Sequence, residues 1–163
     1  MIADATELKM VESEKYDFVL SCMVLEHIAN PIKALLEWKR ILKPKGALVI
    51  IVPYSPYTAD HRREITSISH LWEDYKSNIN ERDASHLDEV LNLYDLDMEP
   101  WLNNPDRFRE MVEDNYKYRV LHHHVFSTQT LEDLLNSIGF SLIFQKISLP
   151  FHIIGIFQNG KYV

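Results

Sequence analysis

Residues 47–53, "ALVIIVP", form an unbroken apolar run with four β-branched positions in a row. A strand without a polar side is the mark of an α/β sheet covered on both faces, and that is the expectation here. The stretch ahead of it has helical periodicity. Asn30 suits an N-cap and Pro31 the first helical position. Ile28, Ile32, Leu35, Trp38 and Leu42 recur at the spacing of one helix face, and Pro44 and Gly46 end it. Upstream again, "YDFVLSCM" (16–23) reads as a short buried strand. Residues 16–53 therefore read as one β-α-β unit, right-handed by the usual rule.

Residues 55–121 differ in character. They are polar and rich in aromatic residues, and "SISHLWEDY", "DASHLDEVLNLY" and "NPDRFREMVEDNY" each begin near a Ser, Asp or Asn cap. A helical insertion of this length after a core strand is expected to cover a site. The core pattern then returns. Ser127 caps a helix with Leu131, Leu134, Leu135 and Ile138 inward, and Gly139 stops it. Residues 140–149 and 151–158 read as two strands broken at Pro150, an antiparallel pair at a sheet edge. Together, 1–54 and 122–163 are expected to form the core of a single domain.

Composition narrows the function classes. A net charge of −7 with scattered Lys and Arg gives no basic face for nucleic acid. No apolar run reaches the roughly 20 residues of a membrane span. Cys22 is the single cysteine, so no intrachain disulfide forms, and a reducing, cytoplasmic setting follows. His122, His123 and His124 are consecutive and cannot all face one ion, so no metal is expected.

Four pieces in order, "DATEL" (4–8), "YDFVLSCMVLEHIANP" (16–31), "EWKRILKPKGALVIIVP" (37–53) and "HHVFSTQTLEDLLNSIGF" (123–140), resemble the C-terminal two-thirds of a class I S-adenosylmethionine (SAM)-dependent methyltransferase, type 11-like. "HRREITSISHLWEDY" (61–75) is similar to an insertion found among polysaccharide-modifying members. The resemblance implies a Rossmann-like, mostly parallel sheet whose last strand is antiparallel, incomplete on its N-terminal side, with the helical insertion at 55–121. The family's Gly-rich cofactor turn follows its first strand, whereas the first glycine here is Gly46. The expectation is a chain truncated past that turn and so lacking it, with weak or no SAM binding alone, because bare backbone must approach the methionine moiety there.

The resemblance also assigns roles. Asp4 matches the acidic residue at the adenine edge, and Ala5 offers its N–H to the ring. Ser21 and Cys22 end the strand that points at the cofactor. Cys22 is read as a small buried thiol rather than a nucleophile. Glu26 and His27 have two readings: His27 faces the methyl group as a base, or the pair only ties strand to helix. His124 sits where the family closes its pocket, a second catalytic candidate. Glu26, Tyr54, His61, Arg62 and His86 are candidates on the acceptor side, and His27, Arg62 and His124 are expected around one cleft.

Two function classes remain. One is a methyltransferase acting on an oxygen or nitrogen of a small-molecule or sugar-linked acceptor. The other is a non-catalytic remnant that binds partners. In either case the open edge of strand 16–23 predicts a homo-oligomer.

Overall fold

The computed structural model describes residues 2–102 and 104–160; the outermost bounds of the expected domain, residues 1 and 161–163, lie outside these. The sheet contains β1 (Tyr16–Cys22), β2 (Leu42–Pro53), β3 (Phe140–Ser148) and β4 (His152–Asn159) in the order β1-β2-β4-β3. β1 and β2 are parallel, and β4 is antiparallel to both of its neighbours. Three strands thus point one way and the last points against them, inserted between β2 and β3. This is the mixed α/β sheet expected, with the closing hairpin at its edge.

The β-α-β unit forms as its residues dictate. In α1 (Pro31–Ile41) the Asn30 Oδ1 accepts from Lys33 N at 3.1 Å, capping the first turn. The amide of Asn30 donates to Asp74 O and Ile79 O, tying this helix start to the end of α2 (Ile68–Lys76). The expected face of Ile28, Ile32, Leu35, Trp38 and Leu42 is buried. The strand after it begins earlier than 47. Leu42 already pairs with Tyr16, and the ladder resumes at Ala47 opposite Phe18. Residues 43–46 loop out between those pairs, so the Lys/Pro/Gly turn exists inside the strand rather than ahead of it. Gly46 is required there: a Cβ would stand 2.9 Å from Lys43 O.

α6 (Thr128–Ser137) is capped by Ser127, which accepts from Thr130 N, and ends at Gly139 with φ +85°. The buried Lys39 places its Nζ 2.7 Å from Ile138 O and 3.3 Å from Gly139 O. A cation is favourable against the unsatisfied carbonyls of a helix C-terminus. Asn159, at the end of β4, donates from Nδ2 to the carbonyls of Lys39, Leu42 and Lys43 and closes the sheet onto the α1–β2 corner.

The main core lies on one face of the sheet. Leu48, Ile50 and Val52 of β2 and Ile153 and Phe157 of β4 pack against Leu35 of α1, Leu71 of α2 and Leu131, Leu134 and Leu135 of α6. The expectation of a strand covered on both faces is corrected here. Val49 and Ile51, on the other side of β2, are only half-buried, as are Ile154 and Ile156. Beside them Phe18 and Leu20 of β1 are 64% and 59% exposed. The helices of the core all pack on the other face, so the apolar run reads the same on both sides while only one side is filled.

The segment 55–121 is helical as expected: α2, α3 (Leu87–Leu93), α4 (Pro105–Glu113) and α5 (Asn115–Tyr118) with short 3₁₀ turns between. Ser67 and Asn104 cap α2 and α4. α3 starts after His86, which makes no side-chain cap. Val90, Leu102, Phe108, Val112 and Leu121 form a second, smaller core.

Lys39→Met keeps the apolar stem and removes both bonds to the end of α6. It should lower stability by about 1–3 kcal/mol, the cost of leaving the buried Ile138 carbonyl unsatisfied while Gly139 O keeps Gly160 N. Urea unfolding reads this as a lower midpoint at unchanged slope. Lys9→Met, at a 78% exposed side chain, should leave the midpoint in place.

Candidate active site and its histidine clusters

The residues ahead of β1 are held on α1. Trp38 Nε1 donates to Ala5 O at 3.1 Å, Leu8 N donates to Glu37 Oε2 at 2.9 Å, and Arg40 donates to Leu8 O at 3.0 Å. This places Asp4 and Ala5 beside the carboxyl end of β1. There, Ala3, Asp4, Ala5, Thr6, Val24 and His27 line a cavity of about 250 Å³, with Glu81 and Arg119 at its rim. Burial raises the Asp4 carboxyl, but the N–H and hydroxyl of Thr6, at 2.8 and 2.7 Å, together with Arg119 and Lys33 bring it below the usual range. Asp4 therefore stands ionised at the wall, an acceptor.

Behind His27 lies a buried polar group. One donor atom each of Glu26, His27 and His122 lies within 4.8 Å of the others. The His27 and His122 rings meet edge to face at 4.5 Å. Neither carboxylate oxygen of Glu26 has a hydrogen-bond partner among the described residues. Burial pushes the Glu26 carboxyl up to about 7, against the pull of His122. His27 is pushed down to about 4, by burial first and then by the charge of His122. It is neutral at pH 7, and its Nδ1 lies 3.2 Å from Leu121 O, which orients the ring. Burial disfavours a charge on His122, but Asp60, 2.5 Å from Nδ1, overcomes it and raises the pKa.

Asp60 is in turn fixed by Arg63. The side chain of Arg63 is 1% exposed. Its NH1 donates to Asp60 Oδ1 (2.8 Å) and His122 O (2.9 Å), and its Nε to Glu89 Oε1 (3.0 Å).

A second cluster adjoins the first. His70, Asp74, His86 and His124 each bring one ligand-type atom within 4.8 Å of the rest. Burial raises the Asp74 carboxyl, with His70 and His86 opposing. His123 is held down to about 3 and His124 well below its ordinary value, in both cases by burial first and by the charge of His86 next. A cavity of about 530 Å³, walled by Thr66, Ser67, His70, His86 and Glu89, opens onto the exposed side of this cluster.

The other candidates fall as follows. Ser21 is buried, and its hydroxyl has no partner among the described residues. Cys22 is exposed, which corrects the reading of a buried thiol: it alternates onto the unfilled face of the sheet. Tyr54 packs against the main core and stacks on Tyr57 at 5.8 Å. Tyr57 borders a separate cavity of about 320 Å³ with Met23, Met98 and His152. His61 and Arg62 both pair with Asp95 on the surface, at 2.8 and 2.6 Å. His27 borders the cavity of Asp4, His124 is buried behind it, and Arg62 borders neither that cavity nor the one at His70. The single cleft expected around these three residues is thus divided. Arg63 and His122 stood among the polar candidates of the sequence, whereas Asp60, His70 and Asp74 did not. The i, i+4 pair His70/Asp74 was the available signal, since that spacing places both on one helix face.

Arg63→Met should destabilise the fold by about 3–5 kcal/mol, because the buried Asp60 then keeps only His122 as a counter-charge. Arg62→Met, half-exposed at the neighbouring position, should leave thermal unfolding unchanged.

The methyltransferase-domain family matches residues 3–145. No curated protein matches the chain. Among solved structures it is similar to a SAM-dependent methyltransferase from Methanosarcina mazei, with 15% identity and a TM-score of 0.52 over 98% of this chain and 66% of that one. It is also similar to a SAM-dependent methyltransferase from Thermotoga maritima, with 17% identity and a TM-score of 0.50 over 96% of this chain and 61% of that one. The chain thus spans somewhat less than two-thirds of either structure's length, and at such identities the likeness concerns the fold. Sheet order, the antiparallel last strand and the family match agree: the chain belongs to the methyltransferase-domain family.

Proposed function

We propose that the chain serves SAM-dependent methyl transfer to an oxygen or nitrogen of a small-molecule or sugar-linked acceptor. The observation that carries this reading is the cavity at the carboxyl end of β1, where Asp4, Ala5 and His27 share one wall. Ligands of open α/β sheets bind at that end of the strands. The donor set suits the adenine edge of the cofactor: an ionised carboxylate accepts from an exocyclic amine, beside main chain pinned by Trp38.

The bound cofactor brings an already activated methyl group, which leaves orientation and proton removal to the protein. His27 is the member of the buried triad that reaches the cavity. With Nδ1 bonded to Leu121 O, its Nε2 is the nitrogen that takes the acceptor's proton. Asp60, fixed by Arg63, holds His122 against His27 and so orients the base.

At millimolar S-adenosylhomocysteine, amide shifts should concentrate at 3–6 and 24–28 and disappear in Asp4→Ala. Shifts confined to other segments, or none, would overturn the assignment.

The uncovered sheet face favours a second reading alongside this one, self-association. β1 pairs on one side only among the described residues, and its exposed Phe18 and Leu20 adjoin Val49 and Ile51. A contiguous apolar patch of this kind marks an interaction surface. The occupant proposed is a second copy of the chain. Light scattering should give twice the chain mass, and Leu20→Lys should return it to a monomer. A wild-type monomer at every concentration would end this reading. Among the described residues no helix is long and apolar enough to cross a membrane. A cytoplasmic location is likewise proposed, on the single cysteine.

A further inference from the structure

We infer that His70, Asp74, His86 and His124 form a binding site for a divalent transition-metal ion, with Zn²⁺ the best match. Three separate pieces of chain converge on it. His70 and Asp74 come from successive turns of α2, His86 from the residue before α3, and His124 from the extended stretch before α6.

The distances are those of a coordination shell. His70 Nε2 is 3.0 Å from His86 Nε2 and 3.4 Å from Asp74 Oδ2, and His124 Nε2 is 3.6 Å from the same oxygen. Ligands held tetrahedrally at Zn–N and Zn–O distances of 2.0–2.1 Å lie about 3.3 Å apart. Hydrogen bonding alone accounts for the cluster poorly. One bond between His70 and His86 is possible, but the buried Asp74 Oδ2 then has no partner among the described residues. One cation satisfies the carboxylate and the facing ring nitrogens together.

The surroundings fit as well. His86 Nδ1 lies 3.2 Å from Glu89 Oε2, and Glu89 is itself anchored by Arg63. A carboxylate behind a ligating imidazole fixes its tautomer and raises its basicity. His124 Nε2 now lies 3.3 Å from Ala29 O, while its Nδ1 is buried without a partner. Ligation through Nε2 would give up that hydrogen bond and put the proton on Nδ1, so His124 is the ligand held at a cost. Three imidazoles and one carboxylate suit Zn²⁺ better than Mg²⁺ or Ca²⁺, which prefer oxygen shells. The cavity at His70 and His86 gives an ion a path in.

The test uses the whole chain stripped with a chelator and titrated with Co²⁺ and then Zn²⁺. One ion per chain should bind, Co²⁺ should show tetrahedral d–d absorption, and Zn²⁺ should displace it. His70→Gln and His86→Gln should each weaken binding by at least about tenfold, and Glu89→Gln by about tenfold. His27→Gln, in the neighbouring triad, should bind as the wild type does. Failure of either ion to bind at millimolar concentration overturns the site. Equal affinity in His70→Gln and His86→Gln does so too, as does loss of binding in His27→Gln alone. Should those variants not fold, X-ray absorption on Zn²⁺-loaded wild type decides. A shell of three imidazole nitrogens and one oxygen supports the site, and an all-oxygen shell overturns it.

Discussion

A single buried cation holds the polar half of this molecule in place. The guanidinium of Arg63 lies between Asp60, after β2, and Glu89, on α3, and also binds the carbonyls of His122 and His123. Burying such a charge is expensive and is tolerated only with a nearly complete shell of partners. Its planar donors supply that shell in directions a lysine could not reproduce. Each carboxylate that neutralises Arg63 also touches a histidine: Asp60 reaches His122 and Glu89 reaches His86. Both histidine clusters therefore take their orientation from one side chain.

The fold was legible wherever a short-range pattern had one meaning. Asn30-Pro31 set the start of α1, Ser127 and Gly139 bracketed α6, and the closing hairpin fell within a residue of its expected bounds. The meaning failed where it depended on what lies opposite. "ALVIIVP" is equally apolar on both sides, so nothing in it told the filled face, with Leu48 and Ile50, from the half-open one, with Val49 and Ile51. The Lys/Pro/Gly turn was visible, but its looping out between the pairs at Leu42 and Ala47 is a matter of register with β1.

The site was legible in part, for a similar reason. Asp4, Ala5 and His27 came from the family resemblance, and they line a common cavity. Arg62 and Arg63 are adjacent and chemically identical, and only tertiary packing decides that one is buried against Asp60, Glu89 and the His122 carbonyl while the other faces Asp95. Three consecutive histidines cannot share one centre, and the fold deals them out, with His122 to Asp60 and His124 towards Asp74. Partners about 60 residues away leave no trace in a local window.

The half-open sheet has a consequence in heat capacity. The heat capacity of unfolding rises with the apolar area newly exposed, at about 12–15 cal/mol/K per residue for ordinary domains. Here Phe18 and Leu20 are mostly wet before unfolding begins, and Val49, Ile51, Ile154 and Ile156 partly so. The increment for the isolated chain therefore falls below that norm, and its stability curve is correspondingly shallow. In the proposed self-association, covering that face would add the missing increment to the association step, giving it a negative heat-capacity change and weakening it in the cold.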